Sequence, residues 1–495
     1  MAANRSGVCV VSADVRNGYR IAAGLGVAAV VVAGCGSVPA VRPSAPLVVA
    51  HGVAVREPAA DPRPYGAADT AFGLDALGAW CRADPRANLV LSPSSLASGL
   101  GLAYLGARGR TARAMAGVLH LPVAGGPALE AGLQARSAAL RGLNRPGVTL
   151  TASDQVWADP ALPPVRSYLN AVATGYGAGL EQVPLLRHPD RATGEINQAI
   201  AGATHGQIPQ LLPPGSLRGT GWVLTDALYL HAAWATPFPA SRTSPGPFTT
   251  AAGQQVTAQF MHGGDYRTAR AAGWTAVSLP YRGGKLAMTA LLPATGAAGC
   301  AMPAAAALGA IAARLAAAGP ARGLTRSAVV LPRVSLSTHA GLNDLLTTLG
   351  MGIAFTPSAD FTGLSPQACC IGLVEHAATL QVGEKGTVAS AATAVGIMPS
   401  AGEVQTGRIV FDRPYLLLIT DTATGEPLFL ARVARPSGLS PDQRPAPAGR
   451  NESISALVTS AVVADPPRSG VRTPVFARSA VIAERMSAAA AGWPR

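Results

Sequence analysis

The stretch Glu384-Lys385-Gly386-Thr387-Val388-Ala389-Ser390-Ala391-Ala392-Thr393-Ala394-Val395-Gly396-Ile397-Met398-Pro399-Ser400-Ala401-Gly402-Glu403 decides the reading of this chain. After Gly386 it carries no charge until Glu403, and from Thr387 to Ala394 nearly every side chain is small. Loops are ordinarily polar and rich in turn formers, so it is an odd loop. As a strand in waiting it makes sense. At a period of two, Thr387, Ala389, Ala391, Thr393 and Val395 face one side and Val388, Ser390, Ala392 and Ala394 the other, and neither face forbids entry into a packed sheet. Composition alone leaves an Ala-rich helix or core strand equally open.

Working outward, a strand-like run from Ile371 to Val382 precedes the stretch, and an apolar strand from Arg408 to Thr420 follows it. Further strands are expected over Val223–Leu230, Trp274–Pro280, Leu286–Leu292 and Ala328–Leu336, several apolar enough to be covered on both faces. Helical spacing of apolar residues marks Thr70–Trp80, Ser95–Leu105 and Ile311–Ala317. Helices dominate the first half and strands the second, an α+β arrangement of one large domain.

At 495 residues and 49% hydrophobic, the chain can bury a large core, which excludes wholesale disorder. The charge of +13 suggests a nucleic-acid binder, but the cations are scattered arginines, with Lys285 and Lys385 the only lysines. No nucleic-acid-binding motif accompanies them, so nucleic acid is not an expected partner. His-x-x-x-His zinc spacing, a phosphate loop, a dinucleotide glycine fingerprint and a serine-hydrolase elbow are all absent. Binding rather than catalysis becomes the expected class, with no cofactor or metal.

Arg5, Arg16 and Arg20 precede an uncharged run, Ile21 to Ala33, of signal-peptide length. It ends in Val32-Ala33-Gly34-Cys35, which resembles the lipidation site of bacterial lipoproteins. That resemblance makes residues 1–34 a lipoprotein-type signal peptide and Cys35 the lipid-bearing residue, anchoring the protein to the outer face of a membrane. An ordinary secretory signal with a coincidental cysteine is the alternative. Residues 35–64 read as a linker, 65–436 as the folded domain and 437–495 as a disordered extension, with a short helix possible over 477–491. Cys81, Cys300, Cys369 and Cys370 form no recognisable disulfide framework, and most are expected as buried free thiols.

The segment Glu384-Lys385-Gly386-Thr387-x-Ala389-Ser390-Ala391-Ala392-Thr393 resembles the hinge of the reactive-centre loop of serpins. Asn88-Leu89-Val90-Leu91-Ser92-Pro93-Ser94-Ser95 and Leu105-Gly106-Ala107-Arg108-Gly109-Arg110-Thr111 are similar to the family's opening motifs. Ile196-Asn197, Thr204–Ile208, Tyr229 with Trp234 and Phe238, Leu331-Pro332-Arg333, Glu375-His376 and Asp412-Arg413-Pro414-Tyr415 follow in family order. The resemblance implies a serpin fold: three sheets, eight to nine helices and an exposed loop, in a monomer.

It also implies a suicide-substrate inhibitor of serine or cysteine proteases, consumed when its cut loop joins the central sheet and traps the acyl-enzyme. Glu384 and Gly386 would fix the hinge, and Thr387, Ala389, Ser390, Ala391, Ala392 and Thr393 would insert first. Counting sixteen residues from Glu384 puts the scissile bond at Ser400–Ala401, with Met398 and Glu403 as alternatives. No Arg or Lys lies between Lys385 and Arg408, which favours elastase-, subtilisin- or chymotrypsin-like targets. Ser92, Ser95, Asp226 and His376 resemble the buried shutter under the sheet. Asp226 stands where the family has Asn, and a carboxylate cannot donate. A non-inhibitory serpin acting through surface binding is the other reading.

Overall fold

The computed structural model describes residues 48–295, 299–316, 325–387 and 407–436. Among them are eight α-helices and two hydrogen-bonded sheets. Helix α2, Pro93–Gly106, sits at the middle. Ser92 caps it by accepting the Ser95 N–H at 3.2 Å, with Pro93 starting its first turn. All of its residues but Leu105 are buried, as the uncharged Leu, Ala and Gly run requires of a helix that is apolar all round.

The first sheet runs β1 (Val48–Ala50), β5 (Leu180–Gln182), β4 (Gln155–Ala158), β6 (Trp222–Ala233), β14 (Gly386–Thr387), β13 (Leu373–Gly383), β12 (Val334–Gly341), with β3 (Val148–Ala152) also on β6. In the second, the long β8 (Gln255–Ala271) carries the pairing through. Its start, Gln255–Phe260, meets β7 (Ser244–Thr249), and its stretch Phe260–Thr268 meets β11 (Thr325–Pro332), which also holds β15 (Arg408–Val410). Its last residues meet β9 (Trp274–Pro280), which leads on to β10 (Leu286–Pro293), β16 (Tyr415–Asp421), β17 (Pro427–Val433) and β2 (Leu89–Leu91). The two smaller sheets of the expected three are thus joined through β8. Helix α2 touches both β6 and β17, so the central sheet is backed by an element wedged against the second.

Two expected strands are each two. Ala328–Leu336 breaks at Arg333, with β11 in one sheet and β12 in the other. Arg408–Thr420 is interrupted over Phe411–Pro414, where Pro414 has no N–H for a ladder and restricts Arg413 before it. Two other expectations need correction. Cys81, in the last turn of α1 (Arg63–Ala83), is bonded to Cys300, just before α7 (Ala305–Ala316), with Cα atoms 5.7 Å apart. Cys369 is exposed and Cys370 half-buried, so none of the four is a buried free thiol. The pairing spans 219 residues and exists only because the fold brings α1 against α7.

The stretch read as a linker is, in its described part, bound to the domain. Val48–Ala50 pairs antiparallel with β5. Beyond it Val53 N–H donates to Asn170 Oδ1 (2.8 Å), Val55 N–H to Thr174 Oγ1 (3.0 Å) and Glu57 N–H to Gln134 Oε1 (3.2 Å). An apolar tripeptide at a sheet edge satisfies its backbone by extending the sheet, which also shields that edge.

Candidate functional site

The site is where the small-residue stretch leaves the central sheet. Strand β13 ends at Gly383, Glu384 and Lys385 form a tight turn, and Gly386 and Thr387 return as β14 between β13 and β6. Thr387 faces Val382 on one side and Ala232 on the other, antiparallel to both. Gly386 has φ +152°, and a Cβ there would lie 2.1 Å from the Ala232 carbonyl oxygen, so only glycine lets the chain pass. Ala389, Ser390, Ala391, Ala392, Thr393, Met398, Ser400, Ala401 and Glu403 lie outside the described residues.

Below this point β6 and β13 pair directly and in parallel, from Val223↔Leu373 to Leu228↔Ala378. The two strands therefore separate towards the Trp234 end, and the hinge fills the top of the opening.

The hinge is held at each residue. Trp234 donates its indole N–H to the Gly383 carbonyl and its backbone N–H to the Lys385 carbonyl, both at 2.9 Å, while Phe238 N–H reaches the Glu384 carbonyl at 2.9 Å. Trp234 stacks on Tyr281 with centroids 4.4 Å apart, and the Tyr281 hydroxyl lies 2.5 Å from Thr387 Oγ1. Glu384 Oε1 accepts from Arg333 Nε at 2.7 Å, from Arg333 Nη2, and from Thr243 Oγ1 at 2.6 Å. Burial works to raise the Glu384 carboxyl, but the Arg333 and Thr243 hydrogen bonds outweigh it and hold the group below the usual glutamate range.

The residues resembling a shutter form two pairs, and a further residue joins the first of them. Ser92 and Ser95 sit at the start of α2. Asp226 on β6 lies opposite His376 on β13, and its Oδ1 meets His376 Nδ1. Asp154, in the turn from β3 to β4, accepts the Ser95 hydroxyl on its Oδ1. Burial and then the Asp226 charge push the Asp154 carboxyl well above the ordinary aspartate range, against the Ser95 hydrogen bond. Next to His376, burial pushes Glu375 up to about 7, with His339 Nε2 3.7 Å from its Oε2.

Sequence reasoning missed Asp154, Thr243 and the pairing role of Arg333. A polar residue two positions after β3, and an Arg directly after Leu331-Pro332, are the only local traces they leave. Among the described residues no group of three or more His, Cys, Asp or Glu side chains could hold a metal ion. Nor is any helix there long and apolar enough to cross a membrane. Cys35 lies outside the described residues.

Comparison with known proteins agrees with this geometry. The family model described as serpin (serine protease inhibitor) matches residues 67–436. The chain is 28% identical over 362 residues to Iris of Ixodes ricinus, covering 71% of this chain and 93% of that one. It is 29% identical over 388 residues to the leukocyte elastase inhibitor of Bos taurus, covering 75% and 99%. Among solved structures, the thermophilic serpin tengpin in its native state superposes with a TM-score of 0.66 at 22% identity, over 78% of this chain and 97% of that one. Uncleaved ovalbumin gives 0.65 at 23%, over 75% and 100%. Relatives thus include a named elastase inhibitor, and the structural neighbours establish the fold. With its motifs in order, its hinge seated between β6 and β13 and its model match across 67–436, the chain belongs to the serpin family.

Proposed function

We propose that this serpin inhibits proteases as a suicide substrate and is not itself a catalyst. The observation that carries the reading is β14: Gly386 and Thr387 already occupy a strand position between β6 and β13. The small, uncharged residues that follow them in sequence could continue along the same path. A protease attacking near Ser400–Ala401 (or at Met398 or Glu403) forms an acyl-enzyme on the loop. Insertion of the released loop then outruns hydrolysis and distorts the bound enzyme. The uncharged segment favours elastase-, subtilisin- or chymotrypsin-like proteases over trypsin-like ones.

The same reading has the protein acting as a monomer outside the cytoplasm, tethered by lipid at Cys35. The Cys81–Cys300 disulfide supports an oxidising compartment. Loss of labelled-palmitate incorporation in Cys35→Ser, with secretion kept, is the expected behaviour of such an anchor.

The test is to incubate the full chain with subtilisin, elastase, chymotrypsin and trypsin and to analyse denaturing gels and masses. A denaturant-resistant complex with one of the first three, and a released peptide beginning near Ala401, is the expected result. Clean cleavage by every enzyme, each left fully active, overturns the reading. A thermal midpoint unchanged by the cut then points to a serpin that binds without inhibiting.

A further inference from the structure

Cys369 and Cys370 stand outside everything described so far. They lie in the extended segment that leads into β13, four and three positions before Leu373. Cys369 is exposed and Cys370 half-buried, and their sulfurs are 2.9 Å apart with both thiols free. The chain on either side is fixed. Ala368 N–H donates to Ser365 O (3.0 Å), Ile371 N–H to Ala354 O (2.9 Å), and Asn343 Nδ2 to Gly372 O (3.0 Å). Asn343 Oδ1 accepts from Val374 N–H at 3.0 Å. The two sulfurs are therefore held together by a short peptide anchored at both ends.

We propose that Cys369 and Cys370 are a thiol–disulfide exchange site, which closes to a vicinal disulfide with low-molecular-weight disulfides and reopens under mild reduction. The Cys369 thiolate attacks a glutathione disulfide sulfur, forming a mixed disulfide at Cys369 and expelling one glutathione thiolate. The Cys370 thiolate then attacks the Cys369 sulfur. That breaks the mixed disulfide, releases the second glutathione and leaves the Cys369–Cys370 bond, so two protein thiols are oxidised and one glutathione disulfide is reduced to two thiols. Exposure makes Cys369 the sulfur reached first. Burial, and then the hydrogen bond and charge of Cys369, push the Cys370 thiol up to about 11. Capping Cys369 removes the second of these causes just when Cys370 must act.

Closure is easy in distance and costly in geometry. Adjacent Cα atoms are about 3.8 Å apart across a trans peptide, whereas unstrained disulfides want roughly 4.4–6.8 Å. Strain and exposure make a disulfide easier to reduce. Cys81–Cys300, with Cα atoms 5.7 Å apart and Cys81 fully buried, lies inside the comfortable range and serves as the internal standard of a resistant bond. The chain thus carries two thiol pairs of opposite character.

The test uses the unmodified full chain. It is equilibrated over a series of reduced-to-oxidised glutathione ratios, quenched in acid, alkylated and digested, and the peptides holding each pair are weighed. The expected result is an intramolecular bond at Cys369–Cys370 that is half reduced at a thiol-to-disulfide ratio at least about a hundredfold lower than Cys81–Cys300 requires. Three outcomes overturn the proposal: both thiols stay fully alkylatable at every ratio, the glutathione adduct on Cys369 never resolves, or disulfide-linked dimers form through these residues on non-reducing gels. An adduct that never resolves is kept alike by Cys370→Ser and by the unmodified chain, whereas under the proposal only Cys370→Ser keeps a stable glutathione adduct on Cys369.

Discussion

The Thr387 hydroxyl meets the Tyr281 hydroxyl at 2.5 Å, with Thr387 on the first sheet and Tyr281 just after β9 of the second. This contact joins the start of the loop to a residue it approaches only when β14 is in place. Burial pushes the Tyr281 phenol well above its usual range, so it stays a neutral hydroxyl at any physiological pH and can donate to Thr387. The hinge is therefore docked against a fixed, uncharged partner.

Gly386→Ala places a Cβ against the Ala232 carbonyl and keeps a φ that L residues avoid. It should expel β14, lower stability by about 2–4 kcal/mol and make the chain near Thr387 newly sensitive to protease. Gly383→Ala, where no heavy atom stands within 4 Å of the added Cβ, is the control and should change stability by no more than about 1 kcal/mol. Thermal melts and limited proteolysis with mass readout check both.

The Glu384 carboxyl is depressed in the folded state, so it binds fewer protons there than in the unfolded chain between the two pKa values. Its contribution is present above the ordinary glutamate value of 4.5 and lost as pH falls through the depressed one. Glu384→Gln should cost about 1–2 kcal/mol at neutral pH, and the difference from the unmodified protein should close on acidification below 4.5. Denaturant melts across pH, with Arg333→Ala and the double variant completing a cycle, measure the coupling.

Glu375 has the opposite sign. Raised to about 7 from 4.5, it binds more protons folded than unfolded, so its burial destabilises progressively as pH rises between those values. Glu375→Gln should therefore stabilise by roughly 1–3 kcal/mol at pH values above 7 and have little effect below 4.5. Melts of both proteins at the two extremes decide it.

The hinge and the α2 cap were legible in the sequence for a physical reason. The cap depends on a contact within three residues, a serine before proline at a helix start, and the hinge shows itself by side-chain size, a glycine followed by a run of small residues. The splits at Arg333 and Pro414 were partly hidden, because an apolar run shows no sign of changing sheets. The Cys81–Cys300 bond, the docking of residues 48–57, and the hydrogen bond from Ser95 to Asp154 were not legible at all. Each is made by chain segments far apart in sequence, and only the closed fold fixes their distance. Asp226 shows the middle case: its departure from the family's Asn was visible, but its answer by His376 needed the register of β6 on β13.

Removing the Cys81–Cys300 bond frees a loop of more than two hundred residues in the unfolded chain. The Cys81→Ser, Cys300→Ser double variant should lose about 3–5 kcal/mol, read as a lower thermal midpoint with unchanged secondary structure by circular dichroism. An equal midpoint for oxidised chain and variant would show that the packing of α1 on α7 already carries the constraint.

The parallel contact between β6 and β13 has a consequence for the balance of backbone pairing. From Val223↔Leu373 to Leu228↔Ala378, six residue pairs join these strands, and each strand already has another neighbour on its far side. A strand sliding down from Thr387 would break those six and make a line of antiparallel pairs with β6 and a second line with β13. The count of satisfied backbone groups rises with every residue admitted, and slanted parallel bonds give way to straight antiparallel ones. In that sense the central sheet has room for one more strand, and on the proposed reading the chain that would complete it is its own.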